Sequence, residues 1–264
     1  MAQIIGIVSL KGGVGKTSSV AALGDAMAGF GKKVLLVDGN LSAPNLGMHL
    51  NILDPKITLH HVLARQARPS EAIYNLDNFD LMPASFSSKL EFSPLKLKDR
   101  INYLRKSYDH ILLDSSPALN EETLGVMLAS DAILVVTTPD YPTLSNTIKA
   151  IKLAKQRGAP IIGLIVNKVH NRDFELSLKD IEDTTDIPVM ASIPHDLDVL
   201  RALSEFSPST SHKPKSKASE EYRKLAAVLV GQKEQPTKLK KLFRWINPKK
   251  QDINRTLYYN SIFE

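Results

Sequence analysis

The nine residues Ser9-Leu10-Lys11-Gly12-Gly13-Val14-Gly15-Lys16-Thr17 constrain this chain more than any other stretch. They follow the apolar run Ile4-Ile5-Gly6-Ile7-Val8 and open a segment rich in alanine with a helical pattern. A strand, a glycine-rich turn and a helix N-terminus, in that order, make a phosphate-binding loop. The turn aims backbone N–H groups at an anion, and the helix dipole adds its positive end. Gly12, Gly13 and Gly15 let the backbone curl around phosphate oxygens where a Cβ would hinder the turn or the approach. Lys16 is expected to reach the β- and γ-phosphates, and Thr17 to place its hydroxyl on Mg2+. Val14 and Ser18 fall in the same loop and are assigned to nucleotide binding with it.

Beyond the loop, near-continuous apolar runs recur at Ile4–Val8, Val34–Val37, Phe79–Met82, Ile111–Leu113, Ala132–Val136, Ile161–Val166 and Val189–Ser192. Such runs suit strands covered on both faces. Between them, helical patterns fall at Ser18–Phe30, Lys96–Lys106, Leu144–Arg157, Phe174–Thr184 and Ala218–Val230. The alternation predicts an α/β fold with a doubly wound, mainly parallel sheet flanked by helices, a P-loop NTPase with its ligand at the carboxyl ends of the strands. One domain over residues 1–231, a polar linker at 232–236 and a distinct segment at 237–264 are expected. Two strand ends lead to carboxylates, Val37 to Asp38-Gly39-Asn40 and Leu113 to Asp114-Ser115-Ser116-Pro117. A carboxylate just past a buried strand is well placed to hold Mg2+ or its water shell, so Asp38 and Asp114 join Thr17 as candidate metal residues. His60, His61 and His195 show neither a serine–histidine–acid order nor metal spacing, and are read as packing, capping or solvent-contacting groups.

Lys11, before the paired glycines, marks the deviant form of the loop. With it the chain resembles the MinD/ParA family of ATPases over roughly residues 2–230. VDGNLSAPNLGMHL resembles that family's first switch, LLDSSP its second, and TTPDYPTL the element after the next strand. VNKV and SIPHDLDVLRA resemble the base-side strand end and loop, and PKSKASEEYRKLA the last helix of the domain. The resemblance implies ATP/ADP and Mg2+ as ligands and a homodimer in the ATP state, with Lys11 reaching phosphates held by the facing subunit. Asn167 and Lys168 would lie beside the base, with the backbone near Pro194 shaping the pocket. Asn40 departs from the pattern, since the family usually has there an aspartate that positions or activates the attacking water. An amide can hold a water but cannot act as a carboxylate base. Phosphoryl transfer depends mainly on positioning and charge stabilisation, so slow hydrolysis is expected. The expected catalytic set is Lys11, Lys16, Asp38, Asn40 and Asp114.

Cysteine is absent, which excludes disulfides, thiolate metal sites and cluster ligation by this chain. No signal peptide precedes the first strand and no apolar run approaches membrane-spanning length, so a cytoplasmic location is expected. From Gln232 to Arg255 there are eight cations against two carboxylates, which carries the whole formal excess of +6 and leaves the remainder neutral. Within this stretch, residues 237–246 fit one short helix with Leu239, Leu242, Phe243 and Ile246 on one face and Lys240, Lys241 and Arg244 opposite. Thr237 would cap it, Pro248 would end it, and Trp245 and Lys238 fall at the boundary, where they suit a lipid interface. The pattern also suits a helix docked by its apolar face on the body, or nucleic-acid contact; it resembles the C-terminal membrane-targeting helix of MinD proteins, which implies peripheral attachment to an anionic membrane with a further protein partner recruited there. Residues 247–264 add Leu257, Tyr258, Tyr259, Ile262 and Phe263, to cover that helix or to bind a partner. Two other readings are a ParA-like DNA-binding partition ATPase, which the neutral body disfavours, and a weakly hydrolytic regulatory or scaffold protein.

Overall fold

The computed structural model describes residues 1–232 and 249–264. Eight strands form one sheet: β1 (Gln3–Val8), β2 (Val34–Asp38), β3 (Tyr74–Asn75), β4 (Asp80–Met82), β5 (His110–Asp114), β6 (Ala132–Thr137), β7 (Ile161–Val169) and β8 (Val189–Pro194). Their order is β3-β4-β2-β5-β1-β6-β7-β8, and every pairing is parallel except that of β3 with β4. The chain winds outward from β1 in both directions, and such a switch point opens a crevice at the strand ends. β2, β5 and β6 are buried along their whole length, which explains why their sequences do not alternate.

The helices are α1 (Lys16–Ala28), α2 (Leu46–His49), α3 (Leu59–Leu63), α4 (Leu97–Ile101), α5 (Glu121–Ala129), α6 (Tyr141–Gln156), α7 (Leu178–Thr185), α8 (Leu197–Ser204), α9 (Ser209–His212), α10 (Lys217–Leu229) and α11 (Lys250–Phe263). Ile4 and Val8 of β1 face a core built with α3 to α7, whereas Ile5 and Ile7 face one built with α1, α2 and α10. Alternate side chains of one strand thus serve two layers. Gly6 permits the close approach of α5, because a Cβ there would run into Ser130.

Several boundaries differ from the sequence pattern for local reasons. α6 starts at Tyr141 rather than Leu144 because the Asp140 carboxylate accepts the Thr143 N–H and Pro142 suits a first turn. α7 starts late, at Leu178, because Ser177 and Asp180 close a reciprocal cap there. The single helix expected over 96–106 is a five-residue α-helix between two 3₁₀ turns. β4 begins one residue later than expected, and the two-residue β3 carried too little pattern to be read.

The expected amphipathic helix at 237–246 and most of the expected linker lie outside the described residues. Residues 250–263, by contrast, form a helix docked on the body. Arg255 is only 2% exposed and is the anchor. It donates to the Met190 carbonyl at 2.9 Å and to Glu221 at 3.2 Å, and it pairs with Asp252. Asn254 donates to Glu182 at 2.6 Å and to the Val189 carbonyl at 2.8 Å, while Lys250 pairs with Glu182. Tyr258 and Tyr259 pack against the α1/α10 core, and the Phe263 ring lies over Gly231. α11 therefore covers the outer edge of β8, a row of backbone groups that would otherwise invite another strand. Removing one member of a buried ion network strands its partners, at a cost of about 3–5 kcal/mol. Arg255→Ala is expected to lower stability to urea by that order and to expose the β8 amides, as read by hydrogen exchange.

Candidate functional site

β1 ends at Val8, and the chain turns through Gly13 (φ 75°) and Gly15 (φ 96°) before α1 begins at Lys16. Both glycines occupy left-handed backbone that other residues adopt only with strain. A Cβ on Gly12 or Gly13 would meet nothing within 4 Å, so the loop faces open space; one on Gly15 would strike the Asn167 amide. The loop forms one wall of a cavity of about 570 Å3, with Lys16, Thr17, Ser18, Asn40, Asn167 and Pro194 among its lining. Burial lowers the Lys16 pKa against the pull of Asp114.

Opposite the loop, the Thr17 hydroxyl donates to Asp114 Oδ2 at 2.6 Å. Asp114 Oδ1 is buried and has no hydrogen-bond partner among the described residues. Burial raises the Asp114 pKa to about 6, although Thr17 and Lys16 pull it down. An oxygen-rich pair with an open valence, beside an anion-binding loop, fits Mg2+. Asp38 is placed differently. Its Oδ1 accepts the Asn40 N–H at 3.2 Å, and its Oδ2 accepts those of Asn45 and Leu46 at 3.1 and 3.0 Å. Burial and then Asp114 push its carboxyl well up, against those three bonds. Of the two carboxylates, Asp114 has the oxygen free for a cation, and Asp38 folds the loop over 39–46. Asn40 is 5% exposed. Its amide nitrogen donates to the Ala43 carbonyl, and its Oδ1 has no partner among the described residues.

The base-side residues brace the loop from outside. Asn167 Nδ2 donates to the Val14 carbonyl at 2.7 Å, and Lys168, in left-handed backbone, donates from Nζ to the Gly13 carbonyl at 2.7 Å. Of the Asn167 amide expected beside the base, the nitrogen is thus engaged with the loop. Pro194, His195 and the α8 residues Val199, Leu200 and Leu203 supply the remaining wall of the cavity. The His195 ring stacks on His170 with centroids 4.6 Å apart. His60 accepts the Ser85 N–H through Nδ1, and His61 completes the cap of α3, which are packing and capping roles as expected.

Lys11 lies beside the loop, where its Nζ is 2.6 Å from Thr143 Oγ1 and 3.3 Å from Asp140 Oδ1. This tether within one chain was not foreseen from the sequence. Neither were Asn45, His49, Ser115, Pro117 and the apolar residues of α8. The spacing of Val199, Leu200 and Leu203 on a capped helix was the available signal for the last group.

Residues 2–163 match the family model described as an AAA domain. The chain is 36% identical to the cell division ATPase MinD of Pyrococcus furiosus, with a TM-score of 0.81 over 86% of this chain and 97% of that one. The chain belongs to the MinD/ParA family of P-loop ATPases, nearest its MinD-like members. MinD of Pyrococcus horikoshii, solved with Mg-ADP, is 35% identical with a TM-score of 0.81, covering 87% of this chain and 96% of that one. The septum site-determining protein MinD of Thermotoga maritima is 31% identical over 88% of this chain and 89% of its own. As a MinD-like ATPase the chain binds ATP and ADP with Mg2+ and hydrolyses ATP. Among its described residues no helix is long and apolar enough to cross a membrane.

A carboxyl whose folded pKa is raised costs stability once the unfolded carboxyl ionises, so this contribution worsens as pH rises from about 4 and is complete above about 6. Asp114→Asn removes the charge while keeping an acceptor for Thr17. The variant is expected to melt a few degrees higher than the parent without nucleotide at pH 7.5, and to lose the Mg2+-dependent part of the stabilisation by ATP. Thermal melts with and without Mg2+ check both halves.

Proposed function

We propose that this chain is an ATP-driven dimeric switch that attaches reversibly to an anionic membrane surface and recruits another protein there. The observation that carries the reading is the Lys11 tether. A cation beside the phosphate loop is held by Asp140 and Thr143 of its own chain, in a second cavity that shares Gly12, Gly13 and Lys168 with the nucleotide cavity. Its side chain is 38% exposed, and its ammonium needs only to change partners to reach phosphates bound by a facing subunit. The triphosphate adds charge at this position and so favours the exchange, whereas loss of the γ-phosphate favours return to Asp140.

Within each site, the loop N–H groups and Lys16 stabilise charge on the β- and γ-phosphates. Thr17 and Asp114 would hold Mg2+, which supplies charge neutralisation across those oxygens when bound. Asn40 orients the attacking water without taking its proton, so hydrolysis is slow. Asp38 keeps the loop bearing Asn40 folded, and Pro194 with α8 shapes the base side.

Residues 237–246 bear the lipid-binding pattern. Alone, so short an apolar face anchors weakly, and each well-placed cation adds roughly 1 kcal/mol at an anionic surface. Two copies on one dimer raise avidity by roughly 10²–10⁴, which links dimerisation to attachment. Support for a protein partner comes from the MinC:MinD cell division complex of Aquifex aeolicus, whose chain is 26% identical with a TM-score of 0.80. Spatial organisation, cell division included, is the corresponding cellular role. The body outside the 232–255 stretch is formally neutral, which weighs against DNA as the main surface.

The test is sedimentation with anionic liposomes in Mg-ATP and in Mg-ADP. The full chain is expected to pellet only with ATP, and Lys11→Ala to lose both dimerisation and pelleting while its monomer still binds nucleotide. Attachment that persists in that variant would sink the coupling. Leu242→Glu with Phe243→Glu is expected to abolish pelleting and leave dimerisation intact. Separately, Asn40→Asp is expected to raise the rate of ATP hydrolysis by about 10-fold or more, and an unchanged rate would place Asn40 away from the water.

A further inference from the structure

The helix after the second switch segment carries a carboxylate that neither the nucleotide loop nor the metal pair uses. Glu122, in the first turn of α5, is only 8% exposed. Its Oε1 accepts the backbone N–H of Ser42 at 3.1 Å and also the Ser42 hydroxyl. Its Oε2 is buried with no partner among the described residues. A half-satisfied buried carboxylate costs stability, so stability alone does not account for it.

What this costly contact fixes is the turn that carries Asn40. Ser42 precedes Ala43, and the Ala43 carbonyl receives the Asn40 amide nitrogen. That bond sets which end of the amide faces where. With Nδ2 engaged by Ala43, Oδ1 is the end left open, and Asn40 lines the nucleotide cavity beside Ser115 and Pro117. The other supports of the turn come from its own segment and from packing: Asp38 takes the N–H groups of Asn40, Asn45 and Leu46, Asn45 Nδ2 donates to the Ala43 carbonyl at 2.9 Å, Leu41 is buried in the core, and Gly39 packs against Asp114 and Val126. Ser42 and Ala43 project outward between these supports and are exposed. The Glu122 contact is the one that reaches across from another element to hold Ser42.

We propose that Glu122 is a positioning residue for ATP hydrolysis: by holding Ser42, and through it the Ala43 carbonyl, it fixes the Asn40 amide with its oxygen toward the attacking water. The inference rests on the reading that Asn40 faces that water. An amide oxygen accepts a hydrogen bond from the water and keeps it in line, but abstracts no proton. At such a site the water's contribution to the rate depends on its geometry, so a residue that sets the geometry tunes the rate.

The experiment is single-turnover hydrolysis at saturating Mg-ATP, with KM measured in parallel, on the full chain. Glu122→Ala is expected to lower the rate constant about 10- to 100-fold while KM for ATP stays within about twofold. Glu122→Gln, which still offers Ser42 an acceptor, is expected to restore most of the rate. Ser42→Ala removes the hydroxyl donor to Glu122 and keeps the Ser42 N–H bond, and a loss of a few-fold is expected at unchanged melting temperature. In an Asn40→Ala background, Glu122→Ala is expected to add no further loss, because the two act through one path. Additive losses, a loss of Glu122→Ala activity that only tracks folded protein, or a rise in KM at constant rate would each overturn the proposal. If Asn40→Ala alone leaves the rate unchanged, the reading of Asn40 falls and this one with it; additivity with an active Asn40 defeats this one alone.

Discussion

The site depends on the register of three neighbouring strands. In the β1–β5 pairing Ile7 stands opposite Asp114, and in the β2–β5 pairing Asp38 stands opposite Asp114. Parallel strands lie about 4.8 Å apart, so one register delivers the phosphate-binding loop, Asp114 and the segment that follows Asp38 to the same rim. A slip of one residue would send Asp114 to the other face of the sheet and bury a charge in hydrocarbon. The apolar side chains of β1, divided between two cores, prevent that slip. Hydrophobic packing on both faces therefore does more than stabilise the domain, since it sets the chemistry at the strand ends to within a side-chain length.

That rim is also where the molecule is least comfortable. Asp114 Oδ1, Asn40 Oδ1 and Glu122 Oε2 are all buried without hydrogen-bond partners among the described residues, and Asp114 lies close enough to Asp38 to add to its cost of ionising. Elsewhere buried charge is compensated, as where Arg255 meets Glu221 and Asp252. Among the described residues the other unpaired buried atoms are nitrogens of Arg100, Arg105, His110 and Arg255, whereas the unpaired oxygens all gather at this rim, which indicates a surface shaped for a donor or cation not permanently there. Stability is surrendered locally, and nucleotide with its cation restores it on binding.

Most of the framework was legible in the sequence. Strands buried on both faces announce themselves as unbroken apolar runs, and the glycine spacing of 12, 13 and 15 with Lys16 and Thr17 leaves little freedom in what the turn can hold. Less legible was everything that depends on which atoms of a recognised residue are already engaged. The sequence suggests that Asp38 meets a metal, but cannot show that three N–H groups of its own loop claim both its oxygens. It suggests that Asn167 meets a base, but not that its amide nitrogen supports Val14. Lys11 and Asp140 are 129 residues apart, and nothing local announces their contact. Short caps decided helix starts at Tyr141 and Leu178, where the hydrophobic pattern alone was ambiguous by three or four residues. Glu122 was invisible for a different reason: an acidic residue in the first turn of a helix is ordinary, and only the turn it reaches makes it unusual.

α11 changes what the basic stretch before it can be. Because Arg255, Asn254 and Lys250 fasten this helix to β8, α7 and α10, the described chain is fixed to the body on both sides of residues 233–248, at Gln232 and at Lys249. The far end of α11 rests on Gly231, so these two points are separated by about the 20 Å length of a fourteen-residue helix. A single tail would let the body swivel freely about its point of attachment. Two moorings that far apart define an axis, and a body fixed at both keeps rotation about that axis and little else.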